Sequence, residues 1–175
     1  MEMNILVIVG AAPCIAEDLA VLVAVQESKY VLTRSYDYML IGMDSVDKYL
    51  GEVKYFATYH PADIPESLNR RKEAGGNCDF RTISHIASEG VEIIHSYQAP
   101  SGSSTLLGVL AAIKMGYQRI ILAGCPLEDE KYKNFQQGWQ AHLDEYVSRV
   151  RSLSGWTRLF LGCPTEEWLD GDKEK

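Results

Sequence analysis

Ile5-Leu-Val-Ile-Val-Gly10-Ala-Ala-Pro-Cys14 is the stretch that decides the fold. An unbroken aliphatic run rich in β-branched residues describes a strand buried on both faces, because a strand with one wet face alternates apolar and polar positions. Gly10 breaks the run. Pro13 then suits a first helical turn, where its preset φ fits and its missing N–H is not needed. Ile15, Leu19, Leu22 and Val23 follow at helical spacing. A buried strand feeding a helix through a short turn is the start of a parallel βαβ unit.

The same alternation recurs outward from this point. Strands are expected over 37–43, 55–59, 91–96 and 119–123, with a short one at 80–84. Residues 150–153 form either the last turn of a helix or a further strand. Helices are expected over 45–50, 64–74 and 135–147, and along the stripe Leu106, Val109, Leu110 and Ile113, which Gly116 ends. No internal repeat or low-complexity linker interrupts this order. The pattern predicts an α/β fold: a three-layer, Rossmann-like single domain with a doubly wound, mostly parallel sheet over 1–169, and a disordered tail over 170–175.

Composition narrows the function. At 175 residues and 46% hydrophobic, the chain supports one good core. Lys+Arg number 17 against Asp+Glu 24, a formal charge of −7, so no basic stripe suits a nucleic-acid partner. Arg70-Arg71-Lys72 reads as a solvated helix face. Cys14, Cys78, Cys125 and Cys163 are dispersed without metal-ligand spacing, so neither a zinc site nor a disulfide framework is expected. Cys14, Cys125 and Cys163 adjoin Pro or Gly and read as small buried thiols. The start Met1-Glu2-Met3 has no basic n-region, and the longest apolar run, 19–25, is far short of a membrane span. These features fit a cytoplasmic protein without a membrane span, and a homo-oligomer is compatible with them.

Ligands of doubly wound sheets bind outside the carboxyl ends of the strands. The residues there are Gly10, Ala11, Ala12, Pro13 and Cys14; Asp44 and Ser45; His60 and Pro61; and Gly124 and Cys125 through Asp129. Ser101, Gly102, Ser103 and Ser104 precede the most apolar helix. The first and last of these turns would aim free N–H groups and positive helix ends at one rim, an anion site for which a nucleotide is the natural occupant. The first turn lacks the later glycines of a dinucleotide fingerprint and has no Walker lysine, which excludes both readings. It also reads as a plain connector. Ser103 or Ser104 caps the helix, but a cap needs one hydroxyl, whereas four small residues suit a flat or anionic ligand.

In order along the chain, Gly10-Ala-Ala-Pro-Cys14, Ile41-Gly-Met-Asp44-Ser, Ser101-Gly-Ser-Ser and Leu107-Gly-Val-Leu-Ala-Ala-Ile-Lys-Met-Gly-Tyr117-Gln-Arg-Ile-Ile-Leu-Ala-Gly124 carry a resemblance. They resemble the Rossmann-like superfamily of bacterial lipooligosaccharide sialyltransferases, motility-accessory-factor proteins and archaeal-type 6-hydroxymethylpterin diphosphokinases. The likeness runs from residue 5 to about 164. Its last part, Ser154-Gly155-Trp156-Thr157-Arg, also resembles small phage and prophage proteins.

The resemblance implies a nucleotide or nucleotide-sugar as ligand and glycosyltransferase-like chemistry. The first turn would face the phosphates, with Ser101 and Gly102 on a phosphate- and ribose-binding turn and Asp44 near the donor. Ser154, Gly155, Trp156 and Thr157 would line the base or ribose. The chain departs from the family by carrying no histidine over 129–134, where the transferases place their catalytic one. Loss of a general base costs about 10²- to 10⁴-fold in rate. His60, at a strand end, is the replacement candidate with Asp44, although it also reads as a histidine packed on Tyr59; His142 reads as an exposed or capping residue. A phage-type accessory binder without catalysis is the alternative. So is a diphosphokinase-like enzyme with Mg²⁺ on Glu128 and Asp129, although Glu128-Asp-Glu130 also reads as a solvated loop. Trp139 and Trp168 read as packing residues.

Overall fold

The aliphatic run forms β1 (Ile5–Val9), and Leu6, Val7, Ile8 and Val9 are all completely buried. Its side chains divide by parity. Ile5, Val7 and Val9 join one hydrophobic cluster, and Leu6 and Ile8 join another on the opposite face. A strand between two dry layers has no polar position to offer, which is why this run carries none.

The structure is a computed structural model that describes residues 4–27, 35–97 and 103–171. Besides β1 it contains β2 (Tyr36–Ile41), β3 (Tyr55–Ala57), β4 (Arg81–Ser84), β5 (Ile93–Ile94), β6 (Arg119–Ala123) and β7 (Val150–Ser152). They form one seven-stranded sheet in the order β5-β4-β3-β2-β1-β6-β7. Every pairing is parallel. β1 is central, with Val9 opposite Leu40 of β2 and Ala123 of β6.

The helices are α1 (Ile15–Glu27), α2 (Ile64–Glu73), α3 (Ser104–Lys114), α4 (Lys133–Ala141), α5 (Leu143–Tyr146), α6 (Gly155–Leu161) and α7 (Glu166–Asp170). One face of the sheet is covered through Ile15 and Leu22 of α1, Ile64 of α2 and Leu169 of α7. The other is covered through Leu106, Val109 and Leu110 of α3, Trp139, Tyr146 and Leu161. The result is the three-layer, doubly wound α/β architecture the alternation predicts. The order reverses between β1 and β6, because the chain steps outward to β5 and α3 carries it back across the sheet. At such a switch point the loops leave to opposite faces and open a crevice.

Several expectations need correction. Residues 45–50 are not a helix: a short 3₁₀ turn, Met43–Ser45, gives way to further turns. The helix over 135–147 is two, broken at His142, whose φ of −111° is not helical. Of the two readings of 150–153, the strand is the one found, as β7. Asp170 closes α7 and does not belong to a disordered tail, while 172–175 lie outside the described residues. Arg71 is not on a solvated face; it is completely buried. Cys163 is exposed, whereas Cys125 is buried as expected. Trp139 is core and completely buried. Among the described residues no helix is long and apolar enough to cross a membrane.

Candidate functional site

A cleft of about 880 Å³ lies over the carboxyl ends of β1, β2, β3 and β6. Its floor is the turn of Gly10, Ala11, Ala12, Pro13 and Cys14 together with Gly124 and Cys125. Ser103 and Ser104 open one wall, Asp44, Lys48 and Arg70 form a second with Tyr59 and His60, and Glu128, Asp129, Lys131 and Tyr132 complete the lining.

The floor is drawn together by main-chain bonds across the switch point. Gly10 donates to the Ala123 carbonyl at 2.8 Å and Ala12 to the Gly124 carbonyl at 3.2 Å. No side chain fits at Gly10, since a Cβ there would meet the Gly124 carbonyl oxygen and lie 2.7 Å from Cys125 Sγ. Beneath the floor sits Asp18, which is 5% exposed. One of its oxygens, Oδ2, accepts both the Gly124 N–H and the Ser154 hydroxyl, each at 2.7 Å. The Ser154 proton is thereby committed, so the Cys14 thiol, 3.3 Å from Ser154 Oγ, is the donor in that contact. Burial holds the Cys14 thiol above its ordinary value. The Asp18 charge adds to that shift. Burial pushes Cys125 up to about 12. Both thiols are therefore protonated and unreactive at neutral pH.

The wall at α3 follows from its cap. Ser103 is the N-cap, its hydroxyl accepting the Leu106 N–H at 3.3 Å. Ser104 Oγ accepts the Tyr59 N–H at 2.9 Å, tying α3 to the end of β3. Ser101 and Gly102 lie outside the described residues.

The opposite wall is held from α2 by two neighbouring arginines. Arg70 donates to Asp47 at 2.9 and 2.7 Å and to Asp44 at 3.4 Å. Its guanidinium holds the Asp47 carboxyl below the ordinary value. Arg71 reaches the carbonyls of Val46, Tyr49, Gly51 and Asn77 at 2.6 to 3.0 Å. Asp44, with an 81% exposed side chain, is thus on the cleft wall and already engaged. His60 is exposed at the start of the turn Pro61–Asp63, with its ring edge-on to Tyr59 at 6.3 Å.

Four expected ligand residues are not on the cleft. Thr157 is completely buried, and its hydroxyl is bonded to the Cys125 carbonyl and to Ser152, both at 2.7 Å. Trp156 stacks on Phe160 at 4.6 Å, and Pro126 sits over Gly155. Ser154 supports Asp18 and Cys14 from below. These residues brace the floor without lining it. Glu128 and Asp129 do line the cleft. Glu130, however, is paired with Lys133 at 2.6 Å, and among the described residues no group of three His, Cys, Asp or Glu is placed to hold a metal ion. His142 bonds Glu145 at 2.5 Å and lies against Tyr97.

Two histidines lie below the ordinary imidazole value of 6.5. His85 is lowered by burial and then by His60, and His95 by burial and then by Lys114. The unfolded chain then binds these protons more readily, so the stability they contribute is complete above the unfolded value and is lost as pH falls through it. The melting temperature should drop between about pH 7 and pH 5, and His85→Gln should flatten the drop. A melting temperature that holds or rises over this range would show the assignment to be wrong.

Neither a family model nor a curated protein nor a solved structure matches this chain.

Proposed function

We propose that the cleft binds a nucleotide or nucleotide-sugar, and that the chain is built as a glycosyltransferase-like enzyme with His60 and Asp44 beside the reacting centre. One observation carries this reading. At the switch point of a doubly wound sheet, the glycine turn after β1 and the capped start of α3 open on a single cleft. Main-chain N–H groups and a positive helix end on one rim stabilise a diphosphate without requiring a charged side chain. Lys48, Arg70 and Lys131 also line the cleft, the first two paired with Asp47 and the third with Asp129. The motif resemblance over residues 5–164 supports the same ligand class.

The expected result of a thermal-shift panel of CMP, UDP, GDP, ATP and their sugars is stabilisation by at least one of them. A ligand at a hundred times its Kd adds about 2.7 kcal/mol. If none acts at millimolar concentration, the reading fails. With a stabilising nucleotide-sugar in hand, His60→Ala should lower turnover at least about tenfold and leave affinity unchanged.

The second reading is a non-catalytic accessory binder. It is favoured by Asp44 being engaged by Arg70 and by the lack, among the described residues, of a hydrogen bond orienting the His60 ring. Full stabilisation by the nucleotide-sugar with no transfer or hydrolysis by the wild-type protein is the outcome that selects it.

A further inference from the structure

We infer that the Tyr59 ring is the platform on which the base of a bound nucleotide stacks; this rests on the nucleotide reading above and adds a base subsite to it. Tyr59 follows β3, is half-buried and lines the cleft. His85 follows β4 and is not on the cleft. It lies flat against one face of the Tyr59 ring, with centroids 3.8 Å apart and 2° between the planes. Tyr97 and His60 meet the same ring at 69° and 81°. The Tyr59 main chain is fixed as well, through its N–H on Ser104 Oγ. The ring is therefore backed on one face by His85 and crossed steeply by Tyr97 and His60, and the residue lines the cleft. An aromatic ring already immobilised loses little entropy when a flat partner settles on it.

Strand order supplies the pose. β1, β2 and β3 are successive neighbours, so their carboxyl ends present the turn at Gly10, then Gly42, then Tyr59 in a row. Two strand spacings separate the first from the last, about 10 Å, which a nucleoside phosphate bridges from phosphate to base. The middle position is a glycine with a φ of 68°, and the nearest atom to a Cβ there is Ser104 Oγ at 4.0 Å. Gly42 adds no side chain of its own between the anion end and the ring, and the sugar would lie there beside Ser104 Oγ. The cleft thus takes a nucleotide with its phosphates over β1 and α3, its sugar over β2 and its base over β3. Stacking of this kind tolerates any base.

The test compares ADP, CDP, GDP and UDP with inorganic pyrophosphate by titration calorimetry on the full chain. Wild-type protein should bind at least one diphosphate nucleotide more tightly than pyrophosphate. Tyr59→Ala should weaken the nucleotide about five- to a hundredfold, the range for one lost stacking contact, with pyrophosphate affinity unchanged. Tyr59→Phe should bind the nucleotide as wild type does. His85→Ala leaves the cleft lining intact while freeing the back of the ring. It should weaken the nucleotide several-fold and pyrophosphate not at all, a split that general loosening of the fold does not produce. Equal losses for both ligands in Tyr59→Ala, or no loss for either, overturns the base platform. Wild-type protein that binds pyrophosphate but no nucleotide more tightly overturns it too, with the anion site intact. Protein that binds neither overturns the nucleotide reading itself.

Discussion

Replacing Arg71 with methionine should cost the fold about 3–5 kcal/mol, the cost of stripping a buried charged group from its partners. Arg71 is completely buried, and its four hydrogen bonds all go to main-chain carbonyls. A bond from a charged donor is worth about 1.5–3 kcal/mol, but three of these four carbonyls are only part-buried, so water recovers some of the loss. Methionine replaces the stem and none of the donors. Lysine keeps the charge on a single nitrogen and cannot reach four acceptors arranged for a planar fork, so it should restore little. Arg70, one residue away, is the control. Its side chain is 37% exposed and pairs with Asp47 at the surface, so Arg70→Ala should cost no more than about 1 kcal/mol. Urea denaturation checks the pair: Arg71→Met lowers the midpoint with an unchanged slope, and equal effects from the two variants would refute the buried-anchor role.

Arg71 also marks the limit of what the sequence made legible. The sheet was readable because its central strands are aliphatic throughout, a pattern that only burial on both faces explains. The cleft residues at the ends of β1, β2, β3 and β6 followed from topology. Arg71 escapes a sequence reading because Arg70 is partly exposed and Lys72 exposed, and a run of three cations looks uniform. Its position carries a signal nonetheless. Ile64, Ser67 and Arg71 share one helical stripe at i, i+3 and i+7, and all three are buried. Asp18 shows the same signal on α1, falling between Ile15 and Leu22 on the stripe that faces the core. A charged residue on a buried stripe points to a specific set of partners, but those partners come from distant loops, and spacing along one helix does not name them. Residues 154–157 failed for the opposite reason. They stand at the end of β7, beside the crevice, but hydrogen bonds and close packing turn them inward.

Removing the Asp18 carboxylate should be nearly as costly as removing the Arg71 guanidinium, and it reports on the cleft itself. Asp18→Ala leaves the Gly124 N–H and the Ser154 hydroxyl without their acceptor in a site 5% exposed, a loss of about 2–4 kcal/mol. Both bonds converge on Oδ2, so Asp18→Asn can keep both on its single carbonyl oxygen and lose only the charge assistance, about 1 kcal/mol. The two variants therefore separate shape from charge. The Asp18 charge is one of the causes raising the Cys14 thiol, behind burial. Without that charge the thiol moves down, a larger fraction is thiolate at mildly alkaline pH, and alkylation accelerates. Iodoacetamide labelling at about pH 8, in a background where the exposed Cys78 and Cys163 are replaced by serine, should be faster in Asp18→Asn than in the parent. A labelling rate that stays the same or slows would mean that Asp18 does not act on the thiol through its charge. An Asp18→Ala variant within about 0.5 kcal/mol of wild type, the range of ordinary surface substitutions, would mean that the floor of the cleft is held by its main-chain bonds alone.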